Sequence, residues 1–138
     1  QRVELSENGL DCRIVPASDP VGEGTYNAAE FTPALIKDGE KIEDSFWTGE
    51  QPRACFGTGD QGVYMLIIEG RYPDEGIRGT SVNTCSDILL AYGCRNALNM
   101  DGGSSAILWY DGEYVTQSSS SFLRYTGGRP LPNAWVYG

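Results

Sequence analysis

Only one stretch of this sequence carries helical periodicity. Cys85, Ile88, Leu89 and Tyr92 recur at the i, i+3, i+4, i+7 spacing. Ser81 or Asn83 can cap its start and Gly93 stops its end. The other apolar segments are short runs closed by glycine, proline or Asx-Gly turns, the pattern of strands. Such a chain must build a sheet around one helix. The expected class is α+β, a mixed, largely antiparallel sheet with one main helix, whose stripe is core packed on the central strand.

Taken in order, Asn8-Gly9 predicts a turn leading into a strand at Cys12–Val15, followed by a loop from Pro16 to Gly24. The run from Phe31 to Glu40 closes on Asp38-Gly39, and Pro33 places it at an edge or at the start of a strand. Phe46 and Trp47 are expected to cover one side of the core. Gln51–Gly57 reads as a short strand carrying Arg53, either a solvated edge charge or a site residue. Val63–Arg71, apolar on both faces, predicts the central strand. Pro73–Gly79 reads as loop. Asp111-Gly112 between Ala106–Tyr110 and Glu113–Val115 predicts a hairpin. Gln117–Ser121 reads as a mobile serine loop and Asn133–Tyr137 as a last strand.

With 138 residues the chain suffices for one domain with a real core. The complete absence of histidine excludes serine–histidine–aspartate hydrolysis and histidine-based metal sites, so acid–base work falls to carboxylates, tyrosine or an activated water. A net charge of −9 disfavours nucleic acid and anionic membrane surfaces. An anionic ligand would need a local group of arginines from Arg53, Arg71, Arg95, Arg124 and Arg129. No apolar run approaches the ~20 residues that cross a bilayer, so no membrane insertion is expected. Cys12, Cys55, Cys85 and Cys94 form no CxxC pair. Cys85 and Cys94 lie too far apart along the helix to bridge. A Cys12–Cys55 disulfide stays open, and the default is buried free thiols. The chain starts at Gln1 without a basic, apolar leader, so any targeting segment is expected to be removed or upstream. With the acidic composition and the cysteines, this fits an exported or envelope protein.

The most chemically loaded stretch is Asn96-Ala97-Leu98-Asn99-Met100-Asp101-Gly102-Gly103-Ser104-Ser105. Paired glycines bring backbone N–H groups close to a ligand, the serines add hydroxyls, and Asp101 is a fixed carboxylate. On residue types alone the same string also reads as a strand entering an ordinary glycine turn.

This stretch resembles the signature of the phosphodiester glycosidase family. Phe31–Gly39, Pro52–Gly57, Val63–Arg71, Asp87–Gly93 and Gly128–Ala134 are similar to further blocks of that family, in its order. The resemblance covers residues 31–138. It departs at Glu69, where the family has aspartate, and in residues 1–30, where the family's opening asparagine–glycine block is not found. The chain is therefore expected to be the C-terminal two-thirds of the family domain, with its own N-terminal segment a possible separate partner.

The resemblance implies hydrolysis of a sugar-1-phosphodiester to free sugar and phosphomonoester. It implies Asp101 as the carboxylate that activates water or stabilises the oxocarbenium-like transition state, and Asn99 and Asn133 orienting that water or sugar hydroxyls. Arg53 and Arg129, then Arg71, would hold phosphate, with Gly102, Gly103, Ser104 and Ser105 forming a backbone and hydroxyl nest. No cofactor is implied; calcium at Asp101 is the metal alternative. The other readings are an inactive fragment or a glycan-binding module using Trp47, Trp109 or Trp135 as a sugar platform.

Overall fold

Gly9, at φ 70°, returns the chain from β1 (Arg2–Leu5) to β2 (Cys12–Val15). The Asn8 side chain fixes that turn by accepting from the Leu10 and Asp11 amides at 2.8 and 3.2 Å. β3 (Asn27–Glu30) pairs with the other side of β1, giving an antiparallel sheet in the order β2-β1-β3. The structure is a computed structural model that describes residues 1–43, 48–119 and 129–137. Phe46 and Trp47 lie outside the described residues.

Pro33 stands immediately before β4 (Ala34–Lys37), and Asp38 and Gly39, at φ 53° and 86°, turn the chain into β5 (Glu40–Lys41). β6 (Arg53–Gly59), β7 (Gly62–Ile68), α1 (Val82–Ala91) and β8 (Cys94–Asn99) follow. They build a five-stranded sheet in the order β5-β4-β8-β6-β7, antiparallel at every pair. The fold is α+β, as expected. Of the two positions open to Pro33, the strand start is the one used, since β4 is flanked on both sides.

Alternation along these strands feeds two cores. Leu35, Cys55 and Ala97 meet Val82, Cys85 and Leu89 of α1 on one face. Ala34, Phe56 and Leu98 meet Val3, Leu5 and Ile14 of the first sheet on the other. The five-stranded sheet is thus the middle of three layers. Ser81 is the helix cap, its hydroxyl accepting from the Thr84 amide at 3.1 Å. Tyr92, expected in the buried stripe, falls at the C-cap and is 70% exposed.

Three expectations are corrected. β7 is an edge strand, and β6 and β8 lie inside it. It is apolar on both sides because both outer layers reach it: Tyr64, Leu66 and Ile68 pack on the helix side, Val63 and Met65 on the other. Asn133–Tyr137 forms no strand; Trp135 stacks on Phe56 with centroids 4.2 Å apart and 15° between planes. The described part of the serine run is tied down: the Ser118 hydroxyl donates to the Ser104 carbonyl at 3.0 Å, the Gln117 amide to Glu69, and the Tyr72 hydroxyl to the Ser118 carbonyl.

All four cysteines are free thiols. Cys12 packs with the first sheet and Cys55 with the helix, on opposite faces of the middle layer, so the Cys12–Cys55 bridge does not form. Burial pushes the Cys12 and Cys94 thiols up to about 11.

Glu4 clamps the first sheet. Its carboxylate pairs with Arg2 at 2.7 Å and Arg13 at 2.6 Å, and accepts from the Gly22 amide and Thr25 hydroxyl. A side-chain carbon at Gly22 would fall 1.1 Å from Arg13 Nη2, so that glycine leaves room for the guanidinium. Burial raises the Glu4 carboxyl, but the bonds from Arg2 and Arg13 outweigh it and hold the group below its ordinary value. A lowered folded-state pKa contributes stability that is present above the unfolded value and lost as pH falls through the folded one. Glu4→Gln is therefore expected to lower the melting temperature by roughly 5–10 °C at pH 7, with the gap to wild type closing as pH falls toward 3. Calorimetric scans across pH check this; a gap independent of pH would contradict it.

Candidate active site

β8 carries the loaded stretch into position. Ala97 and Leu98 are fully buried on opposite faces, which locks the register of the strand and fixes where Asn99 and Asp101 emerge. The Asn99 amide donates to the Pro33 carbonyl at 3.0 Å and the Met100 amide to the Ala54 carbonyl at 2.8 Å. Beyond them the chain leaves the sheet, and Gly103–Ser105 forms a single 3-10 turn.

Both glycines are required by geometry. A Cβ at Gly102 would lie 2.5 Å from the Pro52 carbonyl oxygen, a backbone atom that cannot swing aside. Gly103, at φ 57°, presents its open face to Arg71, whose Nη1 and Nη2 would each meet an added Cβ at 3.1 Å. Gly102→Ala is expected to push the loop off β6 and lower the melting temperature by roughly 3–10 °C. An unchanged thermal transition would show that the loop yields freely.

Asp101, Ser105 and Arg129 form one hydrogen-bonded group. The Ser105 hydroxyl donates to Asp101 Oδ2 at 2.7 Å, and Arg129 Nη2 to the same oxygen at 2.8 Å. Arg129 Nε and Nη2 also donate to the Ser105 hydroxyl oxygen at 2.9 and 2.6 Å. The Asp101 and Arg129 side chains are 55% and 43% exposed, so this pair contributes little to stability. What it provides is a carboxylate of fixed direction on an open surface. Arg71, at φ 67°, donates Nε to Gln51 Oε1 at 2.8 Å, which turns its two terminal nitrogens toward Gly103.

The remaining sequence candidates are placed differently. Arg53 is buried and donates Nε to the Thr80 carbonyl at 3.0 Å and Nη2 to the Gly49 carbonyl at 2.7 Å. Its backbone borders Gly102, but its guanidinium is engaged by the protein. Asn99 is buried, with Nδ2 donating to the Thr32 carbonyl at 2.8 Å and Oδ1 unpartnered. Asn133 is exposed on the 129–137 segment. Of the amides expected in the nest, Gly103's is spent on the Pro52 carbonyl at 2.9 Å. Ser104 contributes its carbonyl to Ser118. Arg95 pairs with Asp60 at 3.6 Å, and Arg124 lies outside the described residues. Sequence reasoning missed Gln51, which aims Arg71, and Pro52, whose carbonyl anchors Gly103; neither residue type signals such a role.

No group of three or more histidine, cysteine, aspartate or glutamate side chains is arranged to hold a metal among the described residues. No described helix is long and apolar enough to cross a membrane.

The fold is of the phosphodiester glycosidase type, and the chain belongs to the phosphodiester glycosidase family, whose model matches residues 2–137. The match thus takes in the first thirty residues as well. Among solved structures, the zebrafish N-acetylglucosamine-1-phosphodiester alpha-N-acetylglucosaminidase catalytic domain, auto-inhibited by pro-peptide, is similar at 15% identity and a TM-score of 0.66, over 94% of this chain and 49% of that one. A hypothetical protein from Synechocystis is similar at 19% identity and a TM-score of 0.57, over 86% of this chain and 31% of that one. The chain therefore spans about half or less of the length of these relatives. No curated protein sequence matches it significantly.

Proposed function

We propose that the chain carries the catalytic loop of a hydrolase acting on sugar-1-phosphodiesters. The observation that carries this reading is the Asp101–Ser105–Arg129 group, with the Arg71 fork facing Gly103 on the same loop. Arg71 and Arg129 hold the phosphate through guanidinium donors. The Gly102 and Ser104 amides sit on the same turn to supplement them.

Asp101 takes a proton from water as the water oxygen bonds to the anomeric carbon. The anomeric carbon–oxygen bond breaks with its electron pair leaving on the phosphate oxygen. Free sugar and a phosphomonoester result. A phosphate leaving group is already acidic, so a site without histidine needs no strong general acid. Arg129 occupies the cation position beside Asp101, where calcium would have to displace it.

The test is incubation with the methyl phosphodiester of N-acetylglucosamine, reading free reducing sugar against time. Release that persists in chelator supports the hydrolase without a metal. Binding of the diester with no release would replace it by a glycan-binding module.

A further inference from the structure

The hairpin that follows the site loop is absorbed neither by the fold nor by the reaction. β9 (Trp109–Tyr110) and β10 (Glu113–Tyr114) form a two-stranded ribbon turned by Asp111 and Gly112 at φ 49° and 87°. Trp109 and Tyr114 are directly paired across it and so share one face. They are 60% and 55% exposed, while Trp135, the other described tryptophan, is consumed by stacking on Phe56.

We infer that the Trp109–Tyr114 face is a docking platform for a neutral pyranose ring of an oligosaccharide chain, next to the reacting sugar. The inference deepens the proposed function, on which it rests for the neighbouring site, by making the substrate a glycan rather than a single sugar. Three observations select this occupant. First, the exposed surface is aromatic: flat, electron-rich ring faces suit the C–H face of a sugar, and their conformational cost on binding is small. Second, the platform is continuous with the site. Trp109 is four residues past Ser105, at most about 14 Å away along the chain. The return leg is pinned back by Val115 N donating to the Leu108 carbonyl at 2.8 Å and by the Ser118 hydroxyl donating to the Ser104 carbonyl at 3.0 Å. Third, the charge at the turn end of this face is Asp111, a carboxylate that repels an anion and accepts from sugar hydroxyls, while Glu113, paired with Tyr110, lies on the other face. The phosphate belongs at the arginines, and the ribbon takes uncharged sugar.

The test separates binding from turnover. Tetraacetylchitotetraose is titrated calorimetrically into wild type, Trp109→Ala and Trp109→Phe. Wild type is expected to bind, Trp109→Ala to lose roughly 5- to 10-fold in affinity, and Trp109→Phe to recover most of it. Melting temperatures, which should agree within about 2 °C for this exposed site, rule out misfolding. In parallel, the methyl phosphodiesters of N-acetylglucosamine and of the tetrasaccharide are compared as substrates. The wild-type KM advantage for the longer diester should collapse in Trp109→Ala. No tetrasaccharide binding at millimolar concentration, or binding indifferent to Trp109, overturns the platform. Loss of self-association in Trp109→Ala without any glycan effect overturns it too, in favour of a second copy of the chain. Hydrolysis of both diesters with unchanged preference removes the platform and keeps the hydrolase. Trp109-dependent binding with no hydrolysis keeps the platform and removes the hydrolase.

Discussion

Asp101→Asn is expected to reduce sugar release from an N-acetylglucosamine phosphodiester by about 10²- to 10⁴-fold. The same variant should melt within about 2 °C of wild type, because the Asp101–Arg129 pair is half exposed. Asparagine keeps the shape, and its carbonyl oxygen still accepts from Ser105, so the loop keeps its conformation. What disappears is the charge that removes a proton from water. KM should change far less than kcat, since the phosphate is held by guanidinium groups. Retention of more than a tenth of the wild-type rate would remove Asp101 from the reaction. Equal loss of rate and of thermal stability would instead make it a scaffold residue.

The helix, the hairpins and the α+β class were legible because each depends on local periodicity or turn chemistry. Ser81, Asp38-Gly39 and Asp111-Gly112 do in the structure what their residue types dictate. Strand order was not legible. β7 reads as central because it is apolar on both sides, yet that pattern records only that two layers cover it. β6, which does lie inside the sheet, reads weakly because close approach of β8 demands glycine. A Cβ at Gly57 would come within 2.6 Å of the Asn96 carbonyl oxygen, and one at Gly59 within 2.2 Å of the Gly93 carbonyl oxygen. The site divides in the same way. The loop from Asp101 to Ser105 is contiguous in sequence, so its composition announces it. The arginines arrive from distant segments, and a guanidinium that binds phosphate is indistinguishable in sequence from one that binds carbonyls.

That distinction makes Arg53 the second decisive position. Its guanidinium joins the Gly49 and Thr80 carbonyls, while the Gln51 and Thr80 amides exchange bonds with each other's carbonyls at 3.1 and 3.0 Å. Arg53 thus clasps the segment that supplies Gln51 to Arg71 and the Pro52 carbonyl to Gly103. Arg53→Ala removes two charge-assisted bonds and leaves the Gly49 carbonyl without that donor, costing about 3 kcal/mol and roughly 10 °C in melting temperature. Arg53→Lys should recover only part of this, because a single ammonium cannot match the planar fork. Activity should fall in both variants in step with the loss of structure around Gln51. If Arg53 held phosphate directly, the signature would be the reverse: an unchanged melting temperature and a KM raised tenfold or more. Melting and steady-state kinetics on the same two variants decide between an arginine that grips the substrate and one that aims the arginine that does.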